Sequence, residues 1–492
     1  MTQAADDRDT SAALSGDDVG RRVVRGGALR VIGFAASNLF AAAGAVIVLR
    51  YLGVAEFGRY GTVIALVAIV QGLTDAGLSV TGTREVSLSG STSHRGRLLA
   101  HIVGLRIALT SAGVLAAVGF GVLVGYESDL VLGTAIAGAG VLLISVQSAM
   151  LIPLSVDLRN GRLTLNEVLR QGILVLGFVA LALAGAELLA FFAVHVVAGL
   201  ALLAITPLLI ERRDLVRPRW GLRELRQLAS VGIPIAIASV LMAVYFRVLV
   251  VVMSLLSDDA EQIGLFVTST RIFELAAALP LMLTVIVLPV LTVAARDDRV
   301  RLLYVIQQMT QLMALTGALI VIVIVLAAEP ILRILGGAEY IAAAPVLRIQ
   351  SIALFTLFVS AAWSPALIGM HRQGSVAAAT AVGLLVAIVA GVLLVPVWEA
   401  EGAAWAAAVA DVFVVSIAYV LLRRAGPGRE LQLGFVPRLA LAAAAAAAVG
   451  LLPGIPPLAD AVLAAAIFIA AAFALRIVPA GMSELLPSRR GA

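Results

Sequence analysis

The residues best placed to do chemistry in this chain are arginines that interrupt long apolar runs. Arg247, Arg271 and Arg348 fall inside the runs 228-256, 263-294 and 341-369, and Arg106 falls inside 98-124. A charge at the centre of a bilayer costs at least about 2.5 to 3.5 kcal/mol on insertion scales, so each should face a cavity or a partner unless its stem reaches the surface. At 1.5 Å per helical residue, Arg247, Arg271 and Arg348 lie roughly 14, 12 and 10 Å from the same side of the membrane, in one layer. Guanidinium never loses its charge, and its planar donors match two phosphate oxygens at once. The layer is therefore suited to an anionic phosphate group. Glu274, three residues after Arg271, can share a helix face with it and offsets part of the charge.

Other residues invite coupling or motion. Asp75 and Arg106 lie at matched depth, each seven or eight residues from the inner end of its run. They fit a structural ion pair between adjacent helices, or a gate or proton-coupling role. Asp411, in the middle of the run 400-422, is a second candidate for proton coupling, a task that usually requires an intramembrane carboxylate; a hydrogen bond to nearby backbone is its bland alternative. Gly232, Pro234, Pro280 and Pro289 are candidate hinges, because proline removes a helix hydrogen bond and permits a bend. Asn38, Gln71, Gln147, Gln307, Gln308 and Gln311 offer neutral groups that serve sugars or helix contacts equally. Trp363, Trp398 and Trp405 read as interfacial anchors.

The elements that position these groups follow from composition. Apolar residues make up 61% of the 492 positions and charged residues 13%, a balance that no water-exposed surface of this size sustains. All 35 basic residues are Arg, and Cys is absent. A P-loop, a Schiff base and a thiolate site are thereby excluded, and His94, His101, His195 and His371 lack ligand spacing. We expect no cofactor, no metal and no nucleic acid partner; the identity of a coupling ion, proton or sodium, stays open.

Apolar runs long enough to cross about 30 Å of hydrocarbon lie near 28-50, 60-82, 98-124, 130-152, 168-186, 188-210, 228-256, 263-294, 303-328, 341-369, 375-396, 400-422, 437-453 and 457-477. The fold class is all-α and polytopic, with about fourteen transmembrane helices. The expected organisation is a disordered tail at 1-23, a six-helix bundle at 24-210, an Arg-rich linker at 211-227 and a second six-helix bundle at 228-422. A loop at 423-436, an additional helix pair at 437-478 and a tail at 479-492 complete it.

Arginine distribution orients the chain, because cytoplasmic flanks carry the basic excess. The tails and the even-numbered connections hold 28 Arg, whereas the odd-numbered ones hold only Arg50, Arg59 and Arg333, together with twelve acids. Both termini are thus expected on the cytoplasmic side.

A weak internal repeat is visible. Glu56-Phe57-Gly58-Arg59-Tyr60 resembles Gln262-Ile263-Gly264-Leu265-Phe266, each after the first span of its half. An even number of helices separates them, so the repeat is parallel and a cavity is expected between two bundles.

The segment from Arg50 to Tyr60, running into Leu73-Thr74-Asp75-Ala76-Gly77-Leu78, resembles the first hairpin of Wzx-type oligosaccharide flippases of the multidrug/oligosaccharidyl-lipid/polysaccharide exporter superfamily. Gly232-Ile233-Pro234 and the pair Pro280 and Pro289 are similar to that family as well. The resemblance implies movement of a polyprenyl-pyrophosphate-linked oligosaccharide from the inner to the outer leaflet of the bacterial cytoplasmic membrane by alternating access. Its implied partners are the lipid-linked glycan, membrane lipid and polysaccharide polymerase machinery. An enzyme is not expected. A multidrug exporter of the same superfamily is an alternative, but cationic drugs call for acids in the cavity. A membrane glycosyltransferase or glycan polymerase is another, but the outer connections are short for such an enzyme.

Because the chain has no Cys, single cysteines report topology without background. Cysteine placed at Asp258 should react with an impermeant maleimide in intact cells, and cysteine at Arg424 only after lysis. The reverse pattern would invert the orientation.

Overall fold

The computed structural model describes residues 16–75, 77–88, 92–221, 237, 239–451 and 456–478. Gly232 and Pro234 lie outside the described residues, as do 1–15, 222–227 and the tail at 479-492. Within the described residues the chain is helical without a strand, as lipid demands, since only internal hydrogen bonds can satisfy its backbone there.

The principal helices are α1 (Gly16–Asp75), α2 (Leu78–Leu88), α3 (Thr92–Val124), α4 (Ser128–Met150), α5 (Asn160–Leu183), α6 (Leu188–Leu209), α7 (Val248–Leu256), α8 (Ala260–Asp297), α9 (Arg299–Leu335), α10 (Ala344–Gly369), α11 (Gln373–Arg424), α12 (Val436–Ala447) and α13 (Pro457–Ala474). Helix α1 begins at Gly16, so residues 16–23, expected in the disordered tail, are helical. Extending an existing helix costs far less than nucleating one, and the adjoining apolar run supplies the nucleus.

Among the described residues, 11 helices are long and apolar enough to cross a membrane, and the bent pair Ser239–Tyr245 and Val248–Leu256 makes a twelfth crossing. Two of them exceed one crossing. Gly33–Leu88 has 56 residues and Gln373–Arg424 has 52. At 1.5 Å per residue either would be roughly 80 Å long, against about 30 Å of hydrocarbon. Non-helical backbone breaks them at Gly53 (φ 74°) and Glu399 (φ 46°). Each therefore supplies two crossings, which accounts for the fourteen apolar runs of the sequence.

Packing divides the chain into two compact units. The first holds the described residues of 1–47, 77–114 and 136–233. Val86, Leu99, Ile102, Val103, Ala149 and Ile152 form an apolar core there, and Gln147 Nε2 donates to Asn166 Oδ1 at 2.6 Å. That bond uses the Gln147 amide for helix association. Arg95 ties the loops of this unit together, donating to both Asp157 oxygens at 3.0 and 3.1 Å. The Arg95 guanidinium holds the Asp157 carboxyl below the usual carboxylate range, whereas burial pushes Asp214 up against the pull of Arg95.

The second unit holds the described residues of 48–76, 115–135 and 234–492. Helix α10 is its hub, packed by α8, α9 and α11. Helices α12 and α13, from the additional pair, lie on α9 through Ala314, Ala318, Ala442, Ala446 and Ala464, where small side chains let backbones approach. Trp363 is buried here and donates to Thr310 Oγ1 at 3.0 Å. It is a core residue rather than an interfacial anchor, unlike the exposed Trp398 and Trp405.

Within this unit the two repeat segments touch. A Cβ at Gly58 would lie 2.7 Å from Gly264 N, and one at Gly264 would lie 2.8 Å from Val54 C. Four residues beyond each glycine a threonine hydroxyl returns to its carbonyl: Thr62 to Gly58 at 3.1 Å and Thr268 to Gly264 at 2.7 Å. The same Gly-x-x-x-Thr device thus faces its own copy. Two arginines of the first hairpin have structural tasks nearby. Arg50 Nε donates to Leu335 O at 3.1 Å and its Nη2 to Ile334 O at 2.5 Å, capping the C-terminus of α9. Arg59 pairs with Glu56 at 3.1 Å and Glu127 at 3.0 Å.

Gly264→Val should therefore destabilise the second unit by about 1 to 3 kcal/mol through overpacking. Thermal unfolding in detergent checks this: the midpoint should fall by several degrees, and an unchanged midpoint would show that the glycine crossing is not tight.

Candidate functional site

The site grows from a break in a helix. The arm Ser239–Tyr245 and helix α7 meet at 44°, and Phe246 and Arg247 form the turn between them. Arg247 has φ −118° and ψ −17°, off the helical values, and its N–H still reaches Val244 O at 3.0 Å. No proline is involved. The backbone opens where a cation and two aromatic residues, Tyr245 and Phe246, follow one another in an otherwise apolar run.

Helix α8 brings the partners. Glu274 Oε1 lies 2.6 Å from Arg247 Nη1, and its Oε2 lies 2.9 Å from Arg271 Nη1. One carboxylate thus joins both guanidiniums, which leaves a net charge of about one positive unit across the three groups. Their side chains are 23%, 30% and 24% exposed for Arg247, Arg271 and Glu274. The cluster is neither sealed nor at the surface. A pair in such a place holds strongly but keeps donors to spare, since each guanidinium has five N–H groups.

Glu274 also lines a cavity of the second unit, with Tyr245, Phe246, Phe266, Thr270, Gln350 and Asp411. The two arginines that pair with its carboxylate are not themselves in the lining. Gln350 accepts from Ser269 Oγ at 2.7 Å and donates to Thr270 Oγ1 at 3.1 Å. A second, partly open cavity of about 190 Å³ shares Tyr245, Phe246 and Asp411 with the first and is lined for the rest by Met242 and by α8, α10 and α11. At the shared wall the Tyr245 hydroxyl donates to Asp411 Oδ1 at 2.5 Å. Asp411 is therefore bound to a side chain on another helix, not to nearby backbone.

Arg348 and Arg106 have partners of their own. Arg348 is turned to α9, donating to Val325 O at 3.2 Å and pairing with Glu329 at 3.2 Å. It shares the layer of Arg247 and Arg271 in sequence but not their cluster. Arg106 belongs to the first unit, where it is buried and donates to Ser79 Oγ at 2.5 Å, to Ser148 Oγ and to Ser145 O at 3.3 Å. Asp75 belongs to the second unit. Helix α8 stays helical through Pro280 and Pro289. Gln307 exchanges hydrogen bonds with the Gln432 backbone at 3.0 Å in both directions, so its amide fixes a loop.

Sequence reasoning missed Tyr245, Thr270 and Gln350. A usable signal existed: Tyr245 and Gln350 stand two residues from Arg247 and Arg348, and Thr270 precedes Arg271. Polar residues that flank an intramembrane charge are first candidates to share its hollow.

Comparison with known proteins places the fold. The structure resembles the lipid II flippase MurJ in an inward closed conformation, with a TM-score of 0.78 and 13% identity over 93% of this chain and 99% of that one. It also resembles an inward-facing multidrug resistance MATE family transporter of the MOP superfamily (TM-score 0.61, 14% identity, 81% of this chain and 97% of that one). The MATE transporter VcmN of Vibrio cholerae in its bent form is similar too (TM-score 0.53, 13% identity, 83% and 100%). No curated protein sequence matches the chain. The family model for polysaccharide biosynthesis proteins matches residues 47–345, more than half of the chain. With its polytopic helical fold and that match, this chain belongs to the polysaccharide biosynthesis protein family.

Proposed function

We propose that this protein is a flippase that moves a polyprenyl-diphosphate-linked oligosaccharide from the inner to the outer leaflet of the bacterial cytoplasmic membrane by alternating access. Both termini then lie in the cytoplasm, and polysaccharide polymerase machinery acts downstream. The observation that carries the reading is the sharing of Glu274 by Arg247 and Arg271 beside the helix break. A diphosphate offers more oxygens and more charge than a carboxylate, so it can compete for the same donors. Glu274 holds the two arginines in place and lowers the cost of their burial until the headgroup arrives. Thr270, Gln350 and Tyr245 supply neutral groups suited to a sugar. Arg348, paired with Glu329, serves helix association. Membership of the polysaccharide biosynthesis family supports the glycan.

Asp411 carries the coupling role. Its carboxylate accepts from Tyr245 on the wall between two cavities, so taking up a proton or a sodium ion alters the contact between α11 and the arm before α7. Movement there reaches Arg247, two residues from Tyr245.

A multidrug exporter is the second reading, and one observation favours it: the first cavity is lined by two carboxylates, Glu274 and Asp411, and by aromatic rings. Charge decides against it. Glu274 is already outweighed by two guanidiniums, so the cavity has little to offer a second cation.

Export of cell-surface glycan tests the proposal. Arg247→Ala and Arg271→Ala should each lower it by at least about tenfold, in line with about 1.5 to 3 kcal/mol for a charged hydrogen bond. Arg348→Ala should retain most of it. Full export in both of the first two variants would end the diphosphate role, and ethidium sensitivity in a deletion strain would favour the drug reading. Asp411→Asn should keep the Tyr245 contact yet abolish dependence on the ion gradient; unchanged dependence would exclude Asp411 from coupling.

A further inference from the structure

Residues 211–220, at the start of the Arg-rich connection, are fixed to the first unit along their length. Leu209 O at their root accepts from Arg162 Nη1 at 2.6 Å. Glu211 pairs with Arg159 and, at 2.8 Å, with Arg213. Arg212–Asp214 forms one 3-10 turn, which buries Asp214 to 4% exposure, with its Oδ1 3.3 Å from Arg95 Nε. Farther on, Arg219 N–H donates to Ala100 O at 3.0 Å. A Cβ at Gly104 would run into the Arg219 carbonyl oxygen, so glycine admits this close approach on α3.

This fastening turns one set of side chains outward. Arg212, Arg217 and Arg219 are exposed, and their side chains make no hydrogen bond or ion pair among the described residues. Arg97, three residues before Ala100 on α3, is exposed as well. Trp220 is 62% exposed and Leu215 41%. The acids of the segment are consumed internally, Glu211 by Arg159 and Arg213, and Asp214 by Arg95. What remains outward is cationic with an indole and a leucine between the charges. Indole prefers the headgroup level, and arginines there attract anionic lipid.

We propose that residues 211–220 are a preformed membrane-surface anchor that binds anionic phospholipid headgroups through Arg212, Arg217 and Arg219, with Trp220 and Leu215 seated in the interface. The segment lies at the membrane face that holds the Arg-rich connections. This assignment is independent of the transported substrate. A flexible connection would spread its charges through solution, whereas the buried Asp214 and the Arg219 backbone bond hold the segment that carries them against the first unit.

The test uses the full chain with Trp363, Trp398 and Trp405 changed to Phe, so that Trp220 is the sole emitter. The chain is placed in nanodiscs of phosphatidylcholine with a minority of phosphatidylglycerol, and bromine is carried on the chains of one lipid or the other. At equal mole fraction, brominated phosphatidylglycerol should quench Trp220 at least about twofold more than brominated phosphatidylcholine, and the preference should fall as salt rises. Arg212→Gln, Arg217→Gln and Arg219→Gln together should remove the preference while quenching by brominated phosphatidylcholine stays, which shows that the segment is still folded at the interface. Equal quenching by the two lipids in the parent chain would overturn the proposal, as would quenching by neither. Loss of the preference on adding inorganic pyrophosphate at constant ionic strength would assign these arginines to a diphosphate instead.

Discussion

One carboxylate between two guanidiniums governs the interior of the second unit. Burying either arginine alone in a lipid-surrounded bundle would cost several kcal/mol. Glu274 removes most of that cost, and it does so asymmetrically, because one negative charge cannot neutralise two positive ones. The residual charge is small enough for the fold to carry and large enough to attract an anion. Everything nearby serves this compromise. The break at Phe246–Arg247 lets the Arg247 side chain leave its helix towards α8, and the spacing of Arg271 and Glu274 puts both on one face.

The rest of the second unit keeps that cluster in register. Helix α10 is clamped among α8, α9 and α11, and Gln350 on it fastens Ser269 and Thr270 in the turn before Arg271. On the same helix α8, Gly264 meets the first repeat segment at Gly58 with no room for a side chain. A glycine crossing is a rigid contact that can part as a whole, since no interlocked side chains must unpack. It holds one end of α8 while the charge cluster lies about two turns farther along the same helix.

Much of this was legible in the sequence. The helical spans are a bulk consequence of lipid as solvent, so they read directly from hydropathy. The Glu274 and Arg271 pairing followed from helix spacing. The participation of Arg247 did not follow as an ion pair, because its partner is on another helix and spacing says nothing of that. The break between Tyr245 and α7 was not foreseen, because no proline or glycine marks it in the sequence; Gly232 and Pro234 lie outside the described residues. Depth does not choose neighbours: Arg348, at the level of Arg247 and Arg271 in the sequence, has Val325 O and Glu329 on α9 as its partners. Trp363 shows the same limit, as an indole at a span end reads as an anchor until a buried partner such as Thr310 is seen.

The central claim is that Glu274 occupies the donors that a diphosphate would take. The most direct test is the affinity of the purified chain for a short-chain polyprenyl diphosphate, compared with that of Glu274→Gln. Competition by the carboxylate predicts that the amide variant binds tighter, by about tenfold or ~1.4 kcal/mol. Weaker or equal binding by Glu274→Gln would contradict it.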